Sequence, residues 1–274
     1  MFSSGSTQVS SDKLYVDDVF SAYTYIGNGS TQTINNGIDL AGKGGMVWVK
    51  ARTTPAYSPD HMLFDTLRGP TYPLYSNSTA AQSQYGGTLT AFNSNGFALG
   101  GNLSQASNEY VSWTFRKAPK FFDVVTWTGN DEASARTIPH SLGVAPGMVM
   151  IKCTSSAGEW YVYHRGDASP NSHSLFLNTA ASTPATYLPS YFPATYFNPS
   201  GLTTWPWVNS PGQTYVAYLF AHDTSADGLI QCGSFTTDGS GNATVSLGWE
   251  PQYVITKKSS TTGDWVISDA SCGA

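Results

Sequence analysis

Apolar and polar positions alternate along this chain in short runs, and the period is two. In Gly45-Met-Val-Trp-Val-Lys50, Val47 and Val49 share one face while Met46, Trp48 and Lys50 share the other. Trp160, Val162 and His164 alternate with Tyr161 and Tyr163, and Trp265 and Ile267 alternate with Val266 and Ser268. Both faces of these runs are partly apolar, so each predicted strand has one face in a core and a second that is covered or aromatic. Turn chemistry separates the runs: Gly27-Asn-Gly-Ser30, Asn95-Gly96, Thr128-Gly-Asn130, Asp238-Gly-Ser-Gly-Asn242 and Thr261-Thr-Gly-Asp264 supply the positive φ of tight hairpins. No window sustains a 3.6-residue apolar period flanked by helix caps. The pattern predicts an all-β chain of tandem antiparallel β-sandwich modules, lectin-like or jelly-roll-like in kind.

The runs recur. Phe122-Asp-Val-Val-Thr-Trp-Thr-Gly129 returns as Cys232-Gly-Ser-Phe-Thr-Thr-Asp-Gly239, and Tyr110-Val-Ser-Trp-Thr-Phe115 returns as Tyr215-Val-Ala-Tyr-Leu-Phe220. Pro146 and Pro251, Lys152 and Lys257, and Trp160 and Trp265 each lie 105 residues apart, and Lys50 precedes Lys152 by 102. Solenoid repeats run about 20–50 residues, so this spacing fits copies of a whole module. The expected organisation is an arm or attachment segment over residues 1–20, a first module over 21–116 and a second over 121–222. A partial third module over 229–274 stops before its closing strands. Lys117-Ala-Pro119-Lys120 and Asp223-Thr-Ser-Ala-Asp-Gly228 are the predicted joints. A half-module leaves Val254, Ile255, Val266 and Ile267 without a partner sheet, so it is expected to pack on another module or on a neighbouring subunit.

Composition narrows the function. Apolar residues make up 40% of the 274, which argues for packed cores, while only 11% are charged and the net charge is −5. A surface made polar by hydroxyl and amide groups, with 16 Tyr and 8 Trp, resembles secreted lectins and viral coat or fibre proteins. The charge leaves no nucleic-acid footprint, and the one basic cluster, Arg116, Lys117 and Lys120, reads as a solvated linker. The amino terminus has no basic region followed by an apolar run, so no signal peptide is expected, and no stretch approaches the roughly 18–20 apolar residues that span a bilayer. Cys153, Cys232 and Cys272 read as ordinary reduced thiols.

Catalytic constellations are not evident. A glycosidase needs two carboxylates about 5–10 Å apart. The candidates Asp131-Glu132, Glu159 and Glu250 read as turn residues or as positions that other copies do without. No Gly-x-Ser-x-Gly elbow is present. The histidines at 61, 140, 164, 173 and 222 lack ligand spacing, and His61 stands where the other copies carry Trp160 and Trp265, as a shape-filling residue. Asp238-Gly-Ser-Gly-Asn242 lacks the ligand run of a calcium loop. No catalytic residue, metal site or cofactor is expected. The strongest ligand-binding candidates are aromatic: Tyr187, Tyr191, Phe192 and Tyr196, with Trp205 and Trp207. Flat rings suit the apolar faces of sugars, and the interleaved prolines limit the entropy lost on binding.

Longer motifs carry a resemblance. Asp12-Lys-Leu-Tyr-Val-Asp-Asp-Val-Phe20, Gly27-Asn-Gly-Ser-Thr-Gln-Thr-Ile34 and Gly37-Ile-Asp-Leu-Ala-Gly-Lys-Gly-Gly45 resemble tail-fibre-type virion structural proteins of marine tailed bacteriophages, notably those infecting cyanobacteria. So do Trp113-Thr-Phe-Arg-Lys-Ala-Pro-Lys-Phe-Phe-Asp-Val-Val125 and Ser234-Phe-Thr-Thr-Asp-Gly-Ser-Gly-Asn-Ala-Thr244. The resemblance implies concanavalin-A-like β-sandwich modules on a virion, assembled in the host cytoplasm, with no catalytic residues. The implied function is adhesion to the host surface as part of a tail fibre or appendage. Partners would be other tail or capsid proteins and a host-surface glycan, with a homo-oligomer, a trimer by analogy, and neither nucleic acid nor membrane insertion. The alternatives are a capsid decoration protein and a polysaccharide-degrading tail enzyme.

Overall fold

The computed structural model describes residues 13–53, 60–130, 136–167, 174–182, 192–199 and 208–271. The first copy contributes β1 (Phe20–Ile26), β2 (Gln32–Asn35), β3 (Gly45–Ala51), β4 (Met62–Asp65), β5 (Gly69–Tyr75), β6 (Leu89–Asn93), β7 (Gly96–Leu99) and β8 (Glu109–Arg116). They form a five-stranded antiparallel sheet of order β1-β8-β3-β4-β5 and a three-stranded sheet of order β2-β7-β6. The second copy contributes β9 (Phe122–Thr128), β10 (Ile138–Pro139), β11 (Pro146–Cys153), β12 (Trp160–His164), β13 (Leu175–Phe176), β14 (Tyr196–Phe197) and β15 (Thr214–Ala221). Its main sheet has the order β9-β15-β11-β12-β13, the same topology, with β10 and β14 as a separate two-stranded ribbon. The third copy contributes the hairpin β16 (Tyr253–Lys257) and β17 (Trp265–Asp269). The chain is all-β in antiparallel sandwich layers, as its pattern predicts.

The copies match in register as well as order. Lys152 faces Trp160 across β11 and β12, and Lys257 faces Trp265 across β16 and β17. In the first copy Val49 faces Met62, which places Lys50 and His61 at the same step. Lys50 faces Val111 on β8, and Lys152 faces Val216 on β15. The strand ends repeat too. Tyr25 stacks on Tyr110 at 5.0 Å, and Trp127 stacks on Tyr215 at 5.2 Å. Beyond each stack the chain turns at a glycine, where a Cβ would lie 2.0 Å from a backbone carbonyl, that of Gln105 for Gly27 and that of Ser210 for Gly129. No side chain fits that approach, so glycine recurs there.

Period-two alternation explains where the core sits. Val47, Val49, Met62 and Phe64 turn to one side, where they pack with Ile34, Phe97 and Leu99 of the three-stranded sheet. Val149, Ile151, Tyr161 and Tyr163 turn the same way in the second copy, against Ile138, Phe192 and Phe197. The alternate residues face the other way into a single cluster that spans the copies. Met46, Trp48, Trp113 and Phe115 meet Met148, Met150, Trp160, Tyr218 and Phe220 there. Tyr253, Ile255, Trp265 and Ile267 of the third copy pack against the same cluster. The repeat boundaries fall between strands, yet the cores do not separate there. The joint at residues 117–120 also differs from a solvated linker: Ala118 and Phe121 are buried, and Lys117 pairs with Asp123 at 2.8 Å. Asp123 is itself buried, so its carboxylate holds that lysine at the boundary.

Gly129→Ala is expected to lower the free energy of unfolding by about 1–3 kcal/mol, because the new methyl must displace backbone. Gly233→Ala, where nothing lies within 4 Å of the added carbon, is expected to be nearly neutral. Urea denaturation of the two variants checks the contrast.

Candidate functional site

Each copy docks on the next through the same atoms. The indole N–H of Trp160 donates to the Tyr75 carbonyl at 2.9 Å, and the Gly158 N–H donates to the Thr79 carbonyl at 2.9 Å. One repeat later, Trp265 donates to the Phe176 carbonyl at 2.9 Å and Gly263 to the Ala180 carbonyl at 2.9 Å. The lysine behind each tryptophan braces the hairpin loop. Lys152 Nζ donates to the carbonyls of Gly158 (2.9 Å), Thr79 (3.0 Å) and Cys153 (3.1 Å), and Lys257 Nζ donates to the Gly263 carbonyl. Burial pushes the Lys152 ammonium down to about 8, and Lys257 is lowered for the same reason.

A second repeated contact closes the arrangement. Tyr218 of the second copy donates its hydroxyl to Asp65 Oδ2 of the first at 2.8 Å. Trp113 of the first copy donates its indole N–H to Asp269 Oδ2 of the third at 3.1 Å. Asp65 and Asp269 hold equivalent places at the ends of β4 and β17, and each accepts the N–H two residues on, from Leu67 (3.0 Å) and Ser271 (2.9 Å). His164 holds the third such place and accepts the Gly166 N–H at 3.1 Å. The second copy thus docks on the first, the first on the third and the third on the second, a triangle around the shared core.

The joint between the first two copies encloses a charge pair. Arg68 Nε meets Asp65 Oδ2 at 2.5 Å with both side chains out of solvent, at 4% and 0% exposure. The remaining guanidinium N–H groups donate to the carbonyls of Tyr72 (2.7 Å) and Leu63 (3.2 Å) and to the Tyr218 hydroxyl (3.1 Å). Its charge partners raise the Arg68 pKa against the opposing cost of burial, while burial drives the Tyr218 phenol well above its usual range. A buried pair is stable only when its other lone pairs and protons are satisfied, as these are.

Where the three copies meet, a cavity of about 580 Å³ remains, lined by Trp48, His61, Trp113 and Trp265 with Lys50, Asn77, Asn178 and Asp264. His61 Nδ1 accepts the Trp48 indole N–H at 2.9 Å, and the His61 ring stacks on Trp113 at 6.0 Å. Burial, reinforced by the charge of Lys50, lowers the His61 pKa to about 4, so the ring is neutral at pH 7. Trp48 and Trp113 are buried behind this ring, so the rings open to the cavity are those of His61 and Trp265, beside amides and a carboxylate. The cavity can hold a polar ligand with apolar faces.

Over residues 16–273 the chain matches a family described as a domain of unknown function (DUF7483). It belongs to the DUF7483 family. That match runs through all three copies as one unit, as does the shared core. No curated protein matches the chain, and no solved structure does.

The aromatic residues singled out in this DUF7483 chain lie apart from the cavity or beyond description. Tyr187, Tyr191, Trp205 and Trp207 fall outside the described residues. Phe192 is buried, its ring 4.2 Å from that of Tyr163 and 5.8 Å from that of Phe197. Tyr196 sits half-buried in β14 opposite Pro139. Asp131 and Glu132 are also outside the described residues, Glu159 accepts from the Asn178 side chain, and Glu250 is exposed. Cys153 and Cys232 are free thiols, and burial pushes Cys232 up to about 12; Cys272 is not among the described residues. Among the described residues no group of three or more His, Cys, Asp or Glu could hold a metal ion. No described helix is long and apolar enough to cross a membrane. Sequence reasoning missed Asp65, Arg68 and Asp269. The available signal was that Asp65 and Asp269 each lie four residues after a repeat-matched ring, His61 or Trp265.

Two outcomes test this geometry. Asp65→Ala is expected to cost about 3–5 kcal/mol, since Arg68 is left charged and buried, and Asp65→Leu combined with Arg68→Met is expected to lose less. Equilibrium unfolding of the single and double variants decides it. The second concerns pH. The unfolded chain protonates His61 near 6.5 and the folded one only near 4, so the stability is complete above 6.5 and is lost as pH falls toward 4. His140 and His164 are lowered by burial and act in the same direction. Tm measured from pH 7.5 to 5 should fall, and it should fall less steeply in His61→Gln.

Proposed function

We propose that this chain is a virion structural protein, a tail-fibre or tail-appendage component that acts by adhesion to a host-surface glycan. The observation that carries the reading is the cavity between the copies. His61 and Trp265 offer half-buried rings, while Asn77, Asn178 and Asp264 offer the amide and carboxylate groups that orient hydroxyls. Sugars present both kinds of surface at once. The motifs from Asp12 to Thr244 that resemble phage fibre proteins support the virion setting. A low-charge antiparallel β scaffold suits a particle-borne adhesin, which needs contact surface and no reactive group. A homo-oligomer is part of the proposal. The three copies of one chain already form a triangle, so a trimer of chains would repeat that symmetry at a higher level.

The test has two parts. Gold-labelled antibody against the protein is expected to mark the tail of intact particles, and label on the capsid shell or none on particles would contradict the appendage. Glycan binding by the purified protein is expected to weaken at least tenfold in Asn77→Ala with Asp264→Asn. Retention of no surface glycan by the unaltered protein, or cleavage of the glycan offered, would overturn adhesion without catalysis.

A further inference from the structure

The two joints between copies close on different atoms. At the first, just past β8, the Ala118 N–H donates to the Phe122 carbonyl at 2.9 Å and the Phe122 N–H to the Ala118 carbonyl at 3.2 Å. At the second, just past β15, the Asp223 N–H donates to the Ile230 carbonyl at 2.9 Å. Cys232 corresponds to Phe122 in the repeat, but its N–H donates to a side chain, His222 Nδ1, at 3.0 Å. The Cys232 thiol donates to the Ala221 carbonyl at 3.6 Å. This hook lies flush on the second copy. A Cβ on Gly147, at the bulge of β11, would lie 2.7 Å from Cys232 Sγ and 3.0 Å from His222 Cβ. One on Gly166 would lie 2.8 Å from the Gly233 carbonyl carbon. An imidazole nitrogen accepts a hydrogen bond only while it carries no proton, so the second closure, unlike the first, exists in one charge state.

We infer that His222 is a pH-sensitive clasp on the joint between the second and third copies. A proton on its Nδ1 sets two donors face to face, frees the Cys232 N–H and opens residues 223–233, uncovering the Cys232 thiol. The surrounding charges favour release in acid. Arg165, just past β12, acts on His222 with a positive charge, and His164 gains a second as it protonates. Asp223 opposes them at His222 and is itself 3.9 Å from Lys120, while Asp167 acts in the same sense on His164. Tyr163 and Cys232, both raised by burial, stay neutral across this range. Burial first, and then Arg165, lower the His222 pKa from its ordinary 6.5. The closed joint is therefore fully favoured above 6.5 and loses that advantage as pH falls through the folded value. The ring is half-buried at the surface, so its release opens the joint locally while the shared core stays packed.

Cys232 reports the state of the clasp. The full chain is treated with dithiodipyridine, which labels thiols in acid as well as at neutral pH, and the peptides of Cys232, Cys153 and Cys272 are resolved by mass spectrometry. Each rate is compared with that in concentrated urea at the same pH, which removes the reagent's own pH dependence and leaves a protection factor. Between pH 7.5 and pH 5 the protection of Cys232 is expected to fall at least tenfold, while that of Cys153, buried in the second copy's own core, holds. His222→Asn keeps an acceptor near the Nδ1 position and His222→Leu keeps none. Neither side chain titrates, so both variants should lose the pH dependence, the leucine variant at the unprotected level. Near-UV circular dichroism checks that each is folded. Unchanged Cys232 protection at pH 5, a parallel fall at Cys153, or a pH dependence that survives either substitution would overturn the inference. The glycan reading can fail without affecting this one, because the thiol assay uses no sugar.

Discussion

The structure depends on sheets that are apolar on both faces. An antiparallel sheet commonly buries one face and leaves the other to water. Here the faces carrying Val47 and Val149 are covered within their own copies, and the opposite faces, carrying Trp48 and Met150, are just as apolar. Those second faces find cover only against one another. Apolar burial contributes about 25 cal/mol per Å² while a domain's net stability is only about 5–15 kcal/mol, so such a face left in water weighs heavily against folding. The three copies are for that reason one folding unit, although their sequences read as three.

Polar groups then set how the copies meet. Hydrophobic burial has no preferred orientation, and three oily faces could slide over one another. The Trp160 and Trp265 indoles each reach a single backbone carbonyl, and Tyr218 and Trp113 each reach a single carboxylate. A buried donor without its acceptor loses its hydration with no return, so each of these contacts penalises any other docking. Lys152 has the same role. Its ammonium is removed from water and held by three carbonyls, one of which belongs to the neighbouring copy. The cavity between the copies follows from this geometry, as its walls are the inner edges of all three.

Much of this was legible in the residues, and the limits have physical causes. Period-two alternation gave the strands, and glycine at 27 and 129 marked equivalent turns. The 105-residue spacing of Lys152 from Lys257 and Trp160 from Trp265 anticipated matched registers, which the ladders bear out. The apolarity of both strand faces was visible too, but alternation cannot say whether a second face meets a loop, a sheet of its own or another copy. That is why the shared core was not foreseen. Charge cannot be followed that way either: Lys117 in a polar stretch looks solvated until its pairing with buried Asp123 is seen. The aromatic run from Tyr187 drew attention as a ligand surface, but the ring of Phe192 packs into a core, since a sequence shows ring type and not ring direction. The cavity was illegible because its walls come from positions more than two hundred residues apart.

Differential scanning calorimetry of the whole chain tests the shared core most directly. One core predicts one cooperative transition, with a calorimetric enthalpy equal to the van't Hoff enthalpy and coincident loss of signal from Trp48, Trp127 and Trp265. Two or more resolved transitions, with the first copy melting independently of the second, would contradict it.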